Sequence, residues 1–167
     1  MKHAALLLLV VIACSDPVKS AEQTALGPED PSVPKGELHR PGQPCLVCHD
    51  DFAAAGTVYQ DDLVTPFENA TITIVDSQGN SPPTAPTTNS AGNFFIKKAD
   101  WKPAFPIGTY TDGNGNAVFG VTVVGTDPNN PAQMITQIGR DLGCNSCHQP
   151  NRTASSPGPV YITTGTP

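Results

Sequence analysis

Two pentapeptides constrain this chain more than any other feature: CLVCH at 45–49 and CNSCH at 144–148. Between them they hold four of the five cysteines and two of the four histidines in 167 residues. Both place Cys at the first and fourth positions and His at the fifth, so chemistry open to one is open to the other. Any fold must therefore present two intact local turns of the same kind, one on each side of the middle region. The fifth cysteine, Cys14, stands apart from both.

Cys14 closes the stretch MKHAALLLLVVIAC, which has a short basic start and an apolar run from Ala4 to Ala13. Such a run is too short to span a bilayer and suits the core of an export signal. Its end, V-I-A-C, resembles the lipobox of bacterial lipoproteins. That resemblance implies removal of residues 1–13, acylation of Cys14 and a lipid anchor in a bacterial membrane. Ordinary signal cleavage that leaves Cys14 free is the alternative. The expected location is the cell envelope, facing the periplasm or the cell surface, and Ser15 is compatible with the outer membrane. Loss of the leader takes Lys2 and His3 with it, so His39, His49 and His148 are the histidines of the mature chain. A formal charge of −6 and the lack of any Lys/Arg cluster exclude a nucleic-acid partner.

Residues 14–44 are proline-rich and lack apolar periodicity, which predicts a lipidated tether with a reach on the order of 30 Å. From there the pattern turns β-like. GTVY (56–59), ATITIVD (70–76), NFFIKK (93–98), AVFGVTVVG (117–125) and QMITQIG (133–139) predict strands, with turns at DSQGN and TDGNGN. PVYIT (159–163) reads as an edge strand or as part of a tail spanning 151–167. The segments AGTVY (55–59), ENATITIVDSQGN (68–80) and TTNSAGNFFI (87–96) resemble the carboxypeptidase-regulatory-like modules. This implies a mainly β fold: an Ig-like, carboxypeptidase-regulatory-like β-sandwich at 45–150, flanked by the two CxxCH segments.

Two thiols three positions apart can form thioethers with the vinyl groups of a porphyrin, and the following His then reaches the iron. Cys-x-x-Cys-His is the attachment pattern of c-type haem. Both pentapeptides meet it, and here the chain resembles the multihaem c-type cytochromes. The resemblance implies two covalent haems, one on Cys45 and Cys48 with His49 as proximal ligand, the other on Cys144 and Cys147 with His148. Competing readings are a zinc site built from the four thiols, or a disulfide within each CxxC. Neither needs His at the fifth position twice, and export fits haem attachment.

The sixth iron ligand decides between electron transfer and small-ligand chemistry. His39, six residues before Cys45, is a candidate distal ligand because histidine is scarce. Met134, ten residues before Cys144 and the last Met after processing, is a second candidate, set against ordinary core filling. Other motifs are weak. Asp112, Asn114 and Asn116 imitate the start of a calcium loop, but Ala117 and Val123 replace its required Gly and Glu, which leaves a hairpin turn. Asp50 and Asp51 read as a solvated edge beside the first motif.

The expected function is electron transfer by an exported dihaem c-type cytochrome, not an enzyme, with redox proteins or other cytochromes as partners and self-association open to it. Two other classes compete. One is a haem peroxidase or small-ligand binder with one open iron site. The other is a β-sandwich binding module with haem or zinc as a structural staple.

Overall fold

The computed structural model describes residues 16–33, 35–151 and 153–163. The stretch expected as a leader, and Cys14, lie outside the described residues. Strand outweighs helix, 27% against 11%, which makes the chain mainly β.

A helix, α1 (Pro17–Ala25), comes first. Asp16 caps it, its side chain accepting from the amides of Val18 (3.0 Å) and Lys19 (3.3 Å), and Pro17 at the first position needs no donor partner. The strands follow as β1 (Phe52–Gln60), β2 (Thr71–Ile74), β3 (Asn93–Lys97), β4 (Tyr110–Thr111), β5 (Ala117–Val118), β6 (Val121–Val124), β7 (Ala132–Gln133), β8 (Leu142–Gly143) and β9 (Val160–Ile162). A single turn of helix, α2 (Cys144–Cys147), continues directly from β8.

β1 is the axis of the fold, buried without a break from Ala53 to Tyr59. Its sequence explains this: three alanines and Gly56 let neighbours approach both faces, and Thr57 and Val58 favour extended backbone. β3 runs antiparallel along one edge, with Gly56 opposite Phe94. β8 pairs parallel at Ala54 and Ala55, and β9 pairs parallel further on, from Val58 to Gln60. A second, antiparallel sheet has the order β2-β6-β7, and β4-β5 is a separate ribbon. Alternation in the second sheet points Ile72, Ile74, Val121 and Val123 inward, where they join Ala54, Val58, Phe94, Ile96 and Leu142 of the first in one core.

Asp76, 2% exposed, organises the loop after β2. One carboxylate oxygen accepts from the amides of Gln78 and Asn80, both at 2.9 Å, and the other from Ala104 at 3.0 Å. Burial alone would raise its pKa, but these donors outweigh it and hold the carboxyl below its ordinary value of 3.8. The stabilisation is therefore present above the unfolded carboxylate pKa and is lost as pH falls through the lower folded value. Asp76→Ala is expected to cost about 2–4 kcal/mol near neutral pH, from three amides losing their acceptor. The urea midpoint of the wild type should fall below about pH 4, and the variant should lack that Asp76-dependent part of the slope.

Several expectations need amending. Within the stretch expected as a tether, the described residues 16–33 and 35–44 include side chains that reach the first pentapeptide and its flank. Lys19 pairs with Asp50, Gln23 donates to the carbonyl of Val47 (2.8 Å), and Arg40 bonds the carbonyls of Leu26 (3.4 Å) and Gly27 (2.7 Å). These are polar contacts, so no hydrophobic period announces them. The strand expected at 117–125 breaks at Gly120, where an added Cβ would lie 2.7 Å from the amide nitrogen of Gly108 and 2.8 Å from Ile107. Of 133–139, only Gln133 belongs to β7, and Ile135 is 77% exposed. The 159–163 segment forms β9 beside the central strand, with Ile162 in the core. The calcium-like stretch is the β4-β5 turn, with Asp112 accepting from the amides of Asn114 (2.9 Å) and Asn116 (2.8 Å).

Candidate haem-attachment sites

Each pentapeptide forms one helical turn. In the first, the amides of Cys48 (3.1 Å) and His49 (3.0 Å) both donate to the carbonyl of Cys45. In the second, the amide of His148 donates to the carbonyl of Cys144 at 2.8 Å. Positions one, four and five of a helical turn share a face, so both thiols and the imidazole of each motif lie on one side. This is the physical content of the Cys-x-x-Cys-His spacing.

Within each motif the first cysteine is partly buried and the second is exposed. All four thiols are free. Desolvation raises the pKa of Cys45 and pushes that of Cys144 up to about 12, the nearby Cys45 adding a smaller electrostatic contribution. Among the described residues no group of three or more His, Cys, Asp or Glu side chains is placed to hold a metal ion.

Two of the three described histidines, His39 and His148, share one habit. Nδ1 of His39 hydrogen-bonds the carbonyl of Gly36, and Nδ1 of His148 that of Gly158 at 2.9 Å. A carbonyl can only accept, so each Nδ1 carries the proton and each Nε2 keeps its lone pair. Nδ1 of His49 faces Asp51 at 4.0 Å. Ligating histidines are oriented in this way by partners on the other ring nitrogen.

His39 and His49 face each other with ring centroids 5.6 Å apart. Two imidazoles sharing one ion at bonds of ~2 Å have centres roughly 6 Å apart. Both line a cavity of about 540 Å³ that also takes in Cys45, Cys48, Phe52 and Phe95. One face of His49 stacks on Phe52 (4.5 Å), which stacks in turn on Phe95 (4.7 Å), leaving the edge of the imidazole open. Arg40 holds the left-handed region beside His39 (φ 49°) and bonds Gln43 at 2.6 Å, clamping the loop that carries the histidine. His39, His49, Cys45 and Cys48 thus share one cavity, a donor set that a haem could use.

The second motif packs on the other flank of β1. A Cβ on Gly56 would lie 2.8 Å from Cβ of Cys144, and one on Gly143 would lie 3.3 Å from Leu46 of the first motif. The two motifs thus abut. Met134 is partly buried, packs against the hydrophobic core and does not line the cavity at His39. Its amide donates to the carbonyl of Val121 at 3.0 Å. Asp50 pairs with Lys19, which lowers its pKa, first by hydrogen bonding and then by charge.

Sequence reasoning missed Asn145, Thr57 and Asn93. Asn145 occupies a variable position of CNSCH, where the attachment chemistry asks for nothing, yet it is 2% exposed. Thr57 interrupts an apolar run, which was the one signal available for any of them.

Comparison with protein-family models, curated proteins and solved structures finds no match to this chain.

Proposed function

We propose that this chain is an exported dihaem c-type cytochrome that carries electrons at the cell envelope, anchored in a bacterial membrane through lipid on Cys14. The observation that carries the reading is the pair His39 and His49 facing each other across a cavity walled by Cys45 and Cys48. Recurrence of the same turn at Cys144, Cys147 and His148 supports a second site. Haem held at these positions supplies reversible one-electron iron chemistry.

The chain's own residues do the rest. Cys45, Cys48, Cys144 and Cys147 tether; His49 and His148 offer Nε2 with Nδ1 tied back or faced by a carboxylate. His39 closes the first site with a sixth ligand, which favours electron transfer over small-ligand binding. Met134 is the candidate for the second iron on sequence grounds, and its thioether would give that centre the higher potential. Phe52 restrains rotation of the His49 ring by stacking. The two sheets, which share one core, support the Ig-like, carboxypeptidase-regulatory-like sandwich, although β8 and β9 join β1 in parallel. Redox proteins, other cytochromes or further copies of the chain are the partners of such a carrier.

Expression with c-type maturation, followed by a pyridine haemochrome assay and intact mass, should give two haems per chain. Cys48→Ala should leave about one on the same assays, because a lone thioether at Cys45 is a poor substitute for the pair. Unchanged haem content in that variant sinks the assignment of the first motif. A potentiometric titration with optical and paramagnetic spectra then reads spin state. Low-spin ferric centres without carbon monoxide binding support the carrier, and a high-spin centre supports the small-ligand reading.

A further inference from the structure

A buried hydrogen-bond network runs from the second pentapeptide to the backbone of His39. Asn145 spends both amide protons, one on the carbonyl of Gln43 (2.9 Å) and one on Oγ1 of Thr57 (3.0 Å). Its carbonyl accepts from the amide of Thr57 at 3.2 Å. The Thr57 hydroxyl donates to Oδ1 of Asn93 (2.8 Å) and also accepts from the amide of Gly42 (2.8 Å). The Asn93 amide group then donates to the carbonyls of His39 (3.1 Å) and Glu37 (3.2 Å).

Thr57 is 1% exposed, Asn145 2% and Asn93 8%. Hydroxyl and amide capacities are filled, with one donor and two acceptor contacts at Thr57 and both protons used on each asparagine. Such a network is worth holding only in one arrangement, because any missing member leaves buried partners unsatisfied. Three of its carbonyl ends, at Glu37, His39 and Gln43, belong to the loop that leads into the first pentapeptide. The loop supplies no residue to the hydrophobic core, so this network, the Arg40 clamp and Asn89, which donates to the carbonyl of Glu37 at 2.8 Å, hold it in place.

We propose that Asn145, acting through Thr57 and Asn93, is a positioning residue for the His39 side of the first site, although it lies inside the second motif. The inference rests on the dihaem reading. It makes the geometry of the first centre depend on correct seating of the second pentapeptide, so that one centre reports on the other without sharing a ligand.

The test uses the mature, haem-loaded protein with Asn145→Leu, the shape-matched Thr57→Val and the conservative Thr57→Ser, and with His39→Ala as the spectral reference. With two haems per chain retained, Asn145→Leu and Thr57→Val should lose the low-spin signal of one centre and gain the His39→Ala spectrum. Thr57→Ser should match the wild type. Amide exchange at Gly42 should accelerate about tenfold or more in Thr57→Val, since its acceptor is gone. If Thr57→Val folds, carries two haems and keeps the spectrum and potential of both centres, with only a lower melting temperature, the network is merely structural and the proposal fails. Equal disturbance of both centres also overturns it. Absence of covalent haem from the wild type instead overturns the dihaem reading, and exchange at Gly42 still decides whether the network holds the loop.

Discussion

His39→Ala is expected to convert one of two ferric centres from low-spin to high-spin at neutral pH, with covalent haem content unchanged. On the proposed dihaem reading, the thioethers at Cys45 and Cys48 and the proximal His49 would stay in place, so attachment would not depend on His39. What is lost is the imidazole across the cavity, 5.6 Å from His49 by ring centroid, with Nε2 available because Nδ1 is bonded to Gly36. An open iron position should let the ferrous variant bind carbon monoxide at that centre alone. Its reduction potential should also move, since axial ligation is a principal control of potential. Optical and paramagnetic spectra of wild type and variant, taken side by side, check all three outcomes. Spectra identical to the wild type would remove His39 from the iron and leave it a loop residue.

Gly56→Val is expected to damage the fold severely. Gly56 lies in the central strand opposite Phe94, where Cβ alone would come within 2.8 Å of Cβ of Cys144 and 3.0 Å of the Phe94 ring. Cys144 is held by backbone at the start of α2, and Phe94 is a core ring on the neighbouring strand, so neither can yield cheaply. Overpacking of this kind costs about 1–3 kcal/mol for small additions, and a branched side chain should exceed that range. Gly56→Ala is expected to lower stability by about 1–3 kcal/mol, with Gly56→Val beyond it, as read from urea midpoints. Relief by Phe94→Ala of less than half the loss would assign most of the strain to the Cys144 side, the contact that seats the second pentapeptide.

Much of the strand pattern was legible along the chain. Short β-branched runs at 56–59, 70–76 and 93–98 each mark a strand, because alternation and branching are local properties. The extent of β1 was not: FAAAG looks unremarkable until neighbours approach from both sides, and only then does lack of side-chain bulk become a requirement. β8 was invisible for a related reason. Two residues, Leu142 and Gly143, pair with Ala54 and Ala55 from far away in sequence, and a two-residue strand has no period to detect. The contacts made by residues 16–33 and 35–44 escaped because they depend on polar side chains finding polar partners, which leaves no apolar trace.

The sites divide in the same way. Attachment chemistry is written locally, since thiols three apart and an adjacent imidazole share a face once any helical turn forms. The shared helical turn at Cys45, Cys48 and His49 and at Cys144, Cys147 and His148 follows from that local pattern. Scarcity also singled out His39. That His39 lies beside His49, that Asn145 reaches the loop bearing His39, and that Leu46 of the first motif approaches Gly143 beside the second are long-range facts. They arise because one glycine-containing strand lets two distant turns pack against it, and only the tertiary fold brings those turns together.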